Sequence, residues 1–463
     1  MGQEKAKSAK RAEGVAAAAA APAAGQAKGA TGRTVHLGIF DFTGTLRSKR
    51  LARASYDAAL KEGWHFIDAL PFWMHDETCF AERGFVDEPC VVRPDTLRPF
   101  PFEAEADLAI ADYAGASADI APRVALERQL EKAAGMGFAA VGGFEFETIY
   151  LAEDGGTLRA KGWRDLDPAL THNRCWSTVS PAADADVLER IDAAIRGTGI
   201  ALDHRCSELG PGCVEYTLGP SPLLRAADDA ALFKMVTKAE ARRHGMTASF
   251  MAQLDAGYPG LCGHLNISLR TVKGRGKGKP AFHDARDPHG LSTTAKAFLG
   301  GICALTPDFM CLFAPTVNAY RRLRPGNWAP RTPSWGIGNY SCGVRVVSRS
   351  AEETRLELRL PGADTNAHLT AAMALAAGLW GIETGADPGP PVTENARTAP
   401  VDADRLLPTS LEEAATRFAA SDIARALFGD PFVDHYAAYC RAEAAAFHAH
   451  VSAFERARYL ESL

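Results

Sequence analysis

The sequence predicts an α+β protein of two unequal domains, and three observations carry that expectation. The chain has 463 residues, more than a single hydrophobic core of about 250 to 300 residues accommodates. Short alternating apolar segments and many prolines fill residues 34 to about 118, the texture of a small β-rich domain. From Pro122 the texture changes to helices and strands in alternation. The expected division is a tail at 1–33, a small domain at 34–118 and a larger one at 119–463.

The elements follow in order. Residues 1–33 have a basic start and an alanine run interrupted by Pro22 and Gly25, which reads as a disordered tail rather than a signal peptide. VHLGIFDF reads as a strand that turns at Thr43-Gly44. APRVALERQLEKAAGMGF reads as a helix closed near Gly135, and FEFETIYL as the strand after it. DADVLERIDAAIRGTG and DDAALFKMVTKAEARRHG read as helices stopped by glycine, each followed by a short strand, ALDHRCSEL and TASFMAQL. TVKGRGKGKP lacks the G-K-[ST] ending of a phosphate-binding loop and reads as a flexible basic loop. No later segment reads as long enough to span a bilayer.

A net charge of -5 with 23% charged residues gives no excess that would attract nucleic acid or a membrane surface. The ten cysteines contain no C-x-x-C pair and no finger-like spacing, so reduced thiols in a cytoplasmic protein are expected.

Four strands carry charge where a half-buried strand needs only polarity. In RLELRLPGADTN, Arg355, Glu357 and Arg359 share one face and Leu356, Leu358 and Leu360 the other. In GGFEFETIYL, Glu145 and Glu147 lie side by side, and carboxylates so placed repel unless solvated or neutralised by a cation. Glu208 and Glu215 bracket a Gly-Pro-Gly turn in ELGPGCVEYTL, and His264, Asn266 and Ser268 line one face of CGHLNISL. Any one of these is an ordinary strand with a solvated face. Together, and followed by an arginine-rich segment, they describe a pocket for two metals and several anionic groups.

In chain order DFTGTLRSKR, FEFE, ELGPGCVE, GHLNIS, PTVNAYRRL and RLELRLPGADTN run from about Val35 to Gly381. The set resembles the glutamine synthetase family, its γ-glutamyl-amine ligase branches more than the ammonia-using enzymes. The resemblance implies a β-grasp-like amino-terminal domain and a catalytic domain with a curved antiparallel sheet backed by helices. It also implies active sites between neighbouring subunits of a homo-oligomer, a dodecamer of two stacked hexameric rings. Glu147, Glu208 and Glu215 would hold the Mg²⁺ or Mn²⁺ ion nearer glutamate, and Glu145, His264 and Glu357 the one on the ATP phosphates. Arg345 and Arg355 would face phosphate oxygens, Arg322 and Arg359 the carboxylates of glutamate. Ser268 would lie near the nucleotide and Gly260 on the loop over glutamate. Arg345, Arg355 and Glu357 are the expected catalytic groups.

The implied reaction is a two-step, ATP-dependent ligation through γ-glutamyl phosphate. Three departures bear on it. PGNWAP places Trp328 where ammonia-using members carry an acidic residue, and FIDALP replaces an Asp-Gly-Ser-Ser turn, leaving Asp68 as the substitute anion. Asn339-Tyr340-Ser341 stands where the family shows Asn-Arg-Ser, so one phosphate-facing arginine is missing. Trp328 and Tyr340 suit an organic amine better than ammonium, because an apolar wall rewards buried carbon. The alternatives are an ammonia-using glutamine synthetase, a catalytically silent relative, and a ligase for another acid.

Overall fold

In the computed structural model, residues 33–81, 83–170, 174–272, 278–399 and 406–463 are described. The tail to residue 32 and the centre of the basic loop lie outside the described residues. The alternation in VHLGIFDF forms β1 (Thr34–Phe40), which pairs antiparallel with β2 (Leu46–Ala52). Gly44 closes the intervening turn at φ 75°, a conformation that glycine adopts at no steric cost. Then come α1 (Arg53–Glu62), β3 (Trp64–Ile67), β4 (Asp87–Pro99) and β5 (Ala106–Tyr113). The five strands make one sheet in the order β2-β1-β5-β4-β3, with β1 and β5 parallel at its centre. Val35, Leu37 and Ile39 alternate into a small core shared with Tyr56 and Ala59 of α1.

The second sheet is ten-stranded and built around a long strand, β6 (Phe138–Leu151). It takes in β7 (Leu202–Ser207), β8 (Cys213–Leu218), β9 (Ser221–Pro222), β10 (Thr247–Ser249), β11 (Gly263–Thr271), β12 (Lys279–Pro280), β13 (Trp335–Ile337), β14 (Val344–Val347) and β15 (Arg355–Leu358). The main path runs β13-β14-β15-β11-β6-β8-β7, and all its pairings except β13–β14 are antiparallel. Phe144 and Phe146, on the apolar face of β6, stack 5.7 Å apart. Against β6 pack α2 (Pro122–Gly135) and, after α3 (Ala185–Gly197), α4 (Leu223–Arg243). Behind them lie α5 (Thr293–Phe313) and α6 (Ala367–Thr384). These two helices approach so closely that a Cβ on Gly301 would lie 2.0 Å from the Ala377 carbonyl.

One expectation is corrected here. By length and hydropathy α5 is long and apolar enough to cross a membrane, but 78% of its most apolar stretch is buried against other parts of the protein, as suits a core helix. None of the ten cysteines is in a disulfide.

Buried polar contacts join the small sheet to the larger unit. Arg123 on α2 donates to Asp112 of β5 at 2.5 Å and forks onto Asp228 of α4 at 2.8 and 3.0 Å. His368 of α6 meets Asp228 at 2.9 Å. Asn366 caps α6 by accepting from the His368 and Leu369 amides, and its own amide donates to the Asp41 and Phe42 carbonyls at the β1–β2 turn. Two of the motifs, DFTGTLRSKR and RLPGADTN, are thus in contact.

Candidate active site

Strand register sets the site. Glu147 of β6 lies directly opposite Glu215 of β8, and Glu145 directly opposite His264 of β11. Asn266 of β11 lies opposite Glu357 of β15, which in turn lies opposite Arg345 of β14. Period-two alternation puts all these side chains on one face, away from Phe144, Phe146 and the buried Leu356 and Leu358. That face is the floor of a cavity of about 1810 Å³.

The six expected metal-ligand residues all line this cavity, as do Arg345, Arg355, Arg359, Gly260, Trp328 and Tyr340. Ser268, Arg322 and Asp68 do not. Ser268 lies further along β11, opposite Val141. Arg322 is buried, its guanidinium donating to the Leu360 and Arg359 carbonyls at 2.8 and 3.1 Å, with its stem against Gly260. Asp68 is buried in the small domain, paired with Arg83 and accepting from the Val86 amide at 2.9 Å.

At one end, ligand atoms of Glu145, His264 and Glu357 lie within 4.8 Å of one another. Glu357, 1% exposed, accepts from both Arg345 and Arg359. Burial, with Arg359 next in weight, holds the His264 pKa well below its ordinary value, so the ring stays neutral, the state that ligates a metal. Asn266 bridges outward, its amide donating to Glu145 at 2.8 Å and its carbonyl accepting from Arg355 at 2.9 Å. Arg345 Nε is buried without a hydrogen-bond partner among the described residues. Arg345 itself lines the cavity, and its forked guanidinium suits an incoming oxyanion.

At the other end no cationic side chain among the described residues forms an ion pair with the carboxylates, and the buried Arg322 acts on Glu147 only through space. Burial and the opposing Glu208 push Glu147 up to about 7. Burial, then Glu147, push Glu215 up to about 9. Buried carboxylates facing one another need a cation to stay ionised, and this donor set fits one. The third member of this cluster is Cys262, whose amide donates to Glu147 at 2.6 Å. Glu208 lies beside it on the cavity wall, accepting from the Cys175 thiol at 3.1 Å.

Sequence reading missed Cys262 because it belongs to no C-x-x-C or finger-like spacing and its closeness to Glu147 and Glu215 is set by strand register. Its signal is its position two residues before His264, on the same alternating face. Trp176, which also lines the cavity, is 71% exposed and adopts φ 55° in a segment without periodicity, so no pattern pointed to it. Tyr340 lies with its ring centre 4.1 Å from the Arg345 guanidinium, and Arg397 covers Trp328 at 4.0 Å.

With this geometry the chain falls into a defined class. The model for the glutamine synthetase catalytic domain matches residues 119–459, and the chain belongs to that family. It is an ATP-dependent carbon–nitrogen ligase of glutamine synthetase type, close to the γ-glutamylamine ligases. The chain is 32% identical to a glutamate–isopropylamine ligase of Pseudomonas sp over 445 residues, covering 92% of this chain and 95% of that protein. It is 33% identical to the gamma-glutamylethanolamide synthetase of Streptomyces coelicolor, over 93% of each chain. Among solved structures, the ADP complex of GmaS superposes with a TM-score of 0.80 at 29% identity, over 93% of this chain and 97% of that one.

Proposed function

We propose that the protein joins the γ-carboxylate of L-glutamate to an organic amine, with ATP converted to ADP and phosphate. The observation that carries this reading is the cavity itself, where aromatic side chains, Trp176, Trp328 and Tyr340, share the walls with the carboxylates and arginines. Likeness to ligases named for isopropylamine and ethanolamine derivatives supports it.

Glu145, His264 and Glu357 would hold one divalent cation, Mg²⁺ or Mn²⁺, and Glu147, Glu208 and Glu215 another. Bound there, such ions supply positive charge to the phosphate oxygens and to glutamate. Arg345 and Arg355 present fork-shaped donors to the transferring phosphoryl group, whose charge spreads over its oxygens as the γ-carboxylate displaces ADP. Arg359 and the Gly260 loop orient glutamate, and Arg322 holds the Arg359 strand from behind. The amine then attacks the acyl carbon, loses a proton and expels phosphate. An amine seated against the aromatic walls would displace water, which would otherwise hydrolyse the acyl phosphate.

Burying an alkyl chain against such walls is worth about 0.8 kcal/mol per methylene, and ammonium gains nothing from them. ADP release with glutamate should therefore rise from ammonium to methylamine to longer or aromatic amines, and Trp328→Glu should reverse that order. Equal or better use of ammonium by the native protein would sink the reading. Assembly is a second check. A site shared between neighbouring subunits requires a ring, so sedimentation should show a dodecamer of the 49.4 kDa chain. An active monomer would contradict it.

A further inference from the structure

Two aromatic residues of the cavity wall are each backed by an arginine, and the two pairs are joined. The Arg345 guanidinium lies 4.1 Å from the Tyr340 ring centre and that of Arg397 4.0 Å from the Trp328 ring centre. Asn339 and Ser341, on either side of Tyr340, also hold the segment that carries Arg397. The Asn339 side-chain amide donates to the Val392 and Glu394 carbonyls at 3.0 and 2.9 Å, and the Ser341 hydroxyl accepts from the Ala396 amide at 2.9 Å. Asn395 then turns the chain, its side-chain oxygen accepting from the Arg397 amide at 3.1 Å and from Arg397 Nε at 3.4 Å. The guanidinium is thereby presented from a fixed base. Trp328 is less secured. Asn327 anchors the backbone just before it, donating to Gln253 Oε1 and to the Arg321 and Arg322 carbonyls at 3.0, 3.1 and 2.9 Å, but the indole itself is 56% exposed. Both Trp328 and Arg397 line the cavity.

A planar guanidinium over one face of an indole fixes the plane of the ring and leaves the opposite face open. We propose that Arg397 is a positioning residue of the amine subsite, holding Trp328 so that the free face of its indole receives the carbon chain of the amine. Arg397 acts through Trp328 and takes no part in the bond changes. A chain of several carbons gains from burial against that face, whereas methylamine is too short to reach along it. The proposal rests on the organic-amine reading of the cavity and deepens it, for it names the group that makes the exposed indole an effective wall.

A double-mutant cycle on the full-length protein tests it. The readout is the KM for hexylamine relative to that for methylamine, each with saturating ATP, Mg²⁺ and glutamate. Arg397→Leu and its polar counterpart Arg397→Gln should each raise that ratio about two- to fivefold, the weight of a cation–π contact at an exposed site, with the change in KM rather than kcat. In a Trp328→Ala background neither substitution should move the ratio further. A ratio that both substitutions leave unchanged, in a native protein that prefers hexylamine to ammonium, overturns the proposal and leaves the organic-amine reading standing. The same shift in the Trp328→Ala background shows Arg397 acting without the indole and overturns it too. So does a fall in kcat shared equally by all amines, which would place Arg397 on the transferring phosphate. A native protein that uses ammonium as well as hexylamine overturns both the proposal and the reading beneath it.

Discussion

The two ends of one sheet face solve the same electrostatic problem in opposite ways. Around Glu357 the protein provides its own counter-charges, for Arg345 and Arg359 both close on the buried carboxylate. Around Glu147 and Glu215, among the described residues, no side chain forms an ion pair; Arg322 acts on Glu147 only weakly through space, and burial with repulsion from neighbouring carboxylates, Glu208 on Glu147 and Glu147 on Glu215, raises both pKa values. The first end is charge-balanced by its own side chains. The second is balanced only when a cation arrives or a proton stays, which makes it the part of the site whose stability depends on solution conditions.

Removing one carboxylate from each end gives the largest expected contrast. Glu357→Gln leaves two arginines beside each other without their shared anion. Breaking a buried pair in this way costs about 3–5 kcal/mol, and loss of a preorganised charge at a reacting phosphoryl group should lower turnover by about a thousandfold. Glu215→Gln should do the reverse to the metal-free protein, raising its stability at neutral pH by on the order of 2 kcal/mol, because the cost of keeping a buried carboxyl protonated far above its ordinary value disappears. Urea unfolding in the presence of a chelator measures both. If the two variants shift metal-free stability in the same direction, the ends are not different in kind.

The pH response should follow the same division. The Glu147 and Glu215 pKa values are raised from 4.5 to about 7 and about 9. The native state therefore binds more protons than the unfolded chain between those limits, and stability falls as pH rises through that range. The metal-free melting temperature should decline from pH 5 to pH 9. Because a cation needs the ionised carboxylates, its affinity and the stabilisation it gives should grow over the same interval. A melting curve that is flat in chelator, or a metal-induced shift that shrinks toward alkaline pH, would show that these carboxylates are not the uncompensated ones.

Much of this face was legible before any coordinates, and the reason is periodicity. Arg355, Glu357 and Arg359 alternate with leucines, Glu145 and Glu147 with phenylalanines, and a strand has only two sides, so their sharing a face follows from spacing alone. Which residue stands opposite which is a matter of register, and register between strands more than a hundred residues apart, such as β6 and β11, is set by the whole sheet. That is why the Glu147–Glu215 opposition was not visible and Cys262 was overlooked. Arg322 shows another limit. Its place in PTVNAYRRL suggests a substrate contact, yet its donors serve backbone carbonyls beneath the floor, a choice made by side-chain direction rather than sequence order. The helix α5 carries a membrane-like composition that its burial against other parts of the protein, α6 among them, explains.

The smallest expected effect concerns Tyr340, and it sharpens the contrast from the balanced end. The ring is 51% exposed and lies 4.1 Å from the Arg345 guanidinium and 5.3 Å from that of Arg359. It covers a face of the guanidinium while Arg345 donates sideways to Glu357. A cation–π contact at a partly exposed site is worth about 0.5–1 kcal/mol, so Tyr340→Leu should lose about that much stability and leave the ion pairs intact. Tyr340→Arg places the arginine that the resemblance led one to expect here but adds a third positive charge where two arginines already share one carboxylate. It should destabilise the nucleotide-free protein by about 1 kcal/mol, on the scale of a like-charge contact near the surface. Adding ATP with Mg²⁺ supplies the missing anion and should close the gap between variant and native melting temperatures. A deficit that stays the same with and without nucleotide would mean that position 340 does not face the phosphate at all.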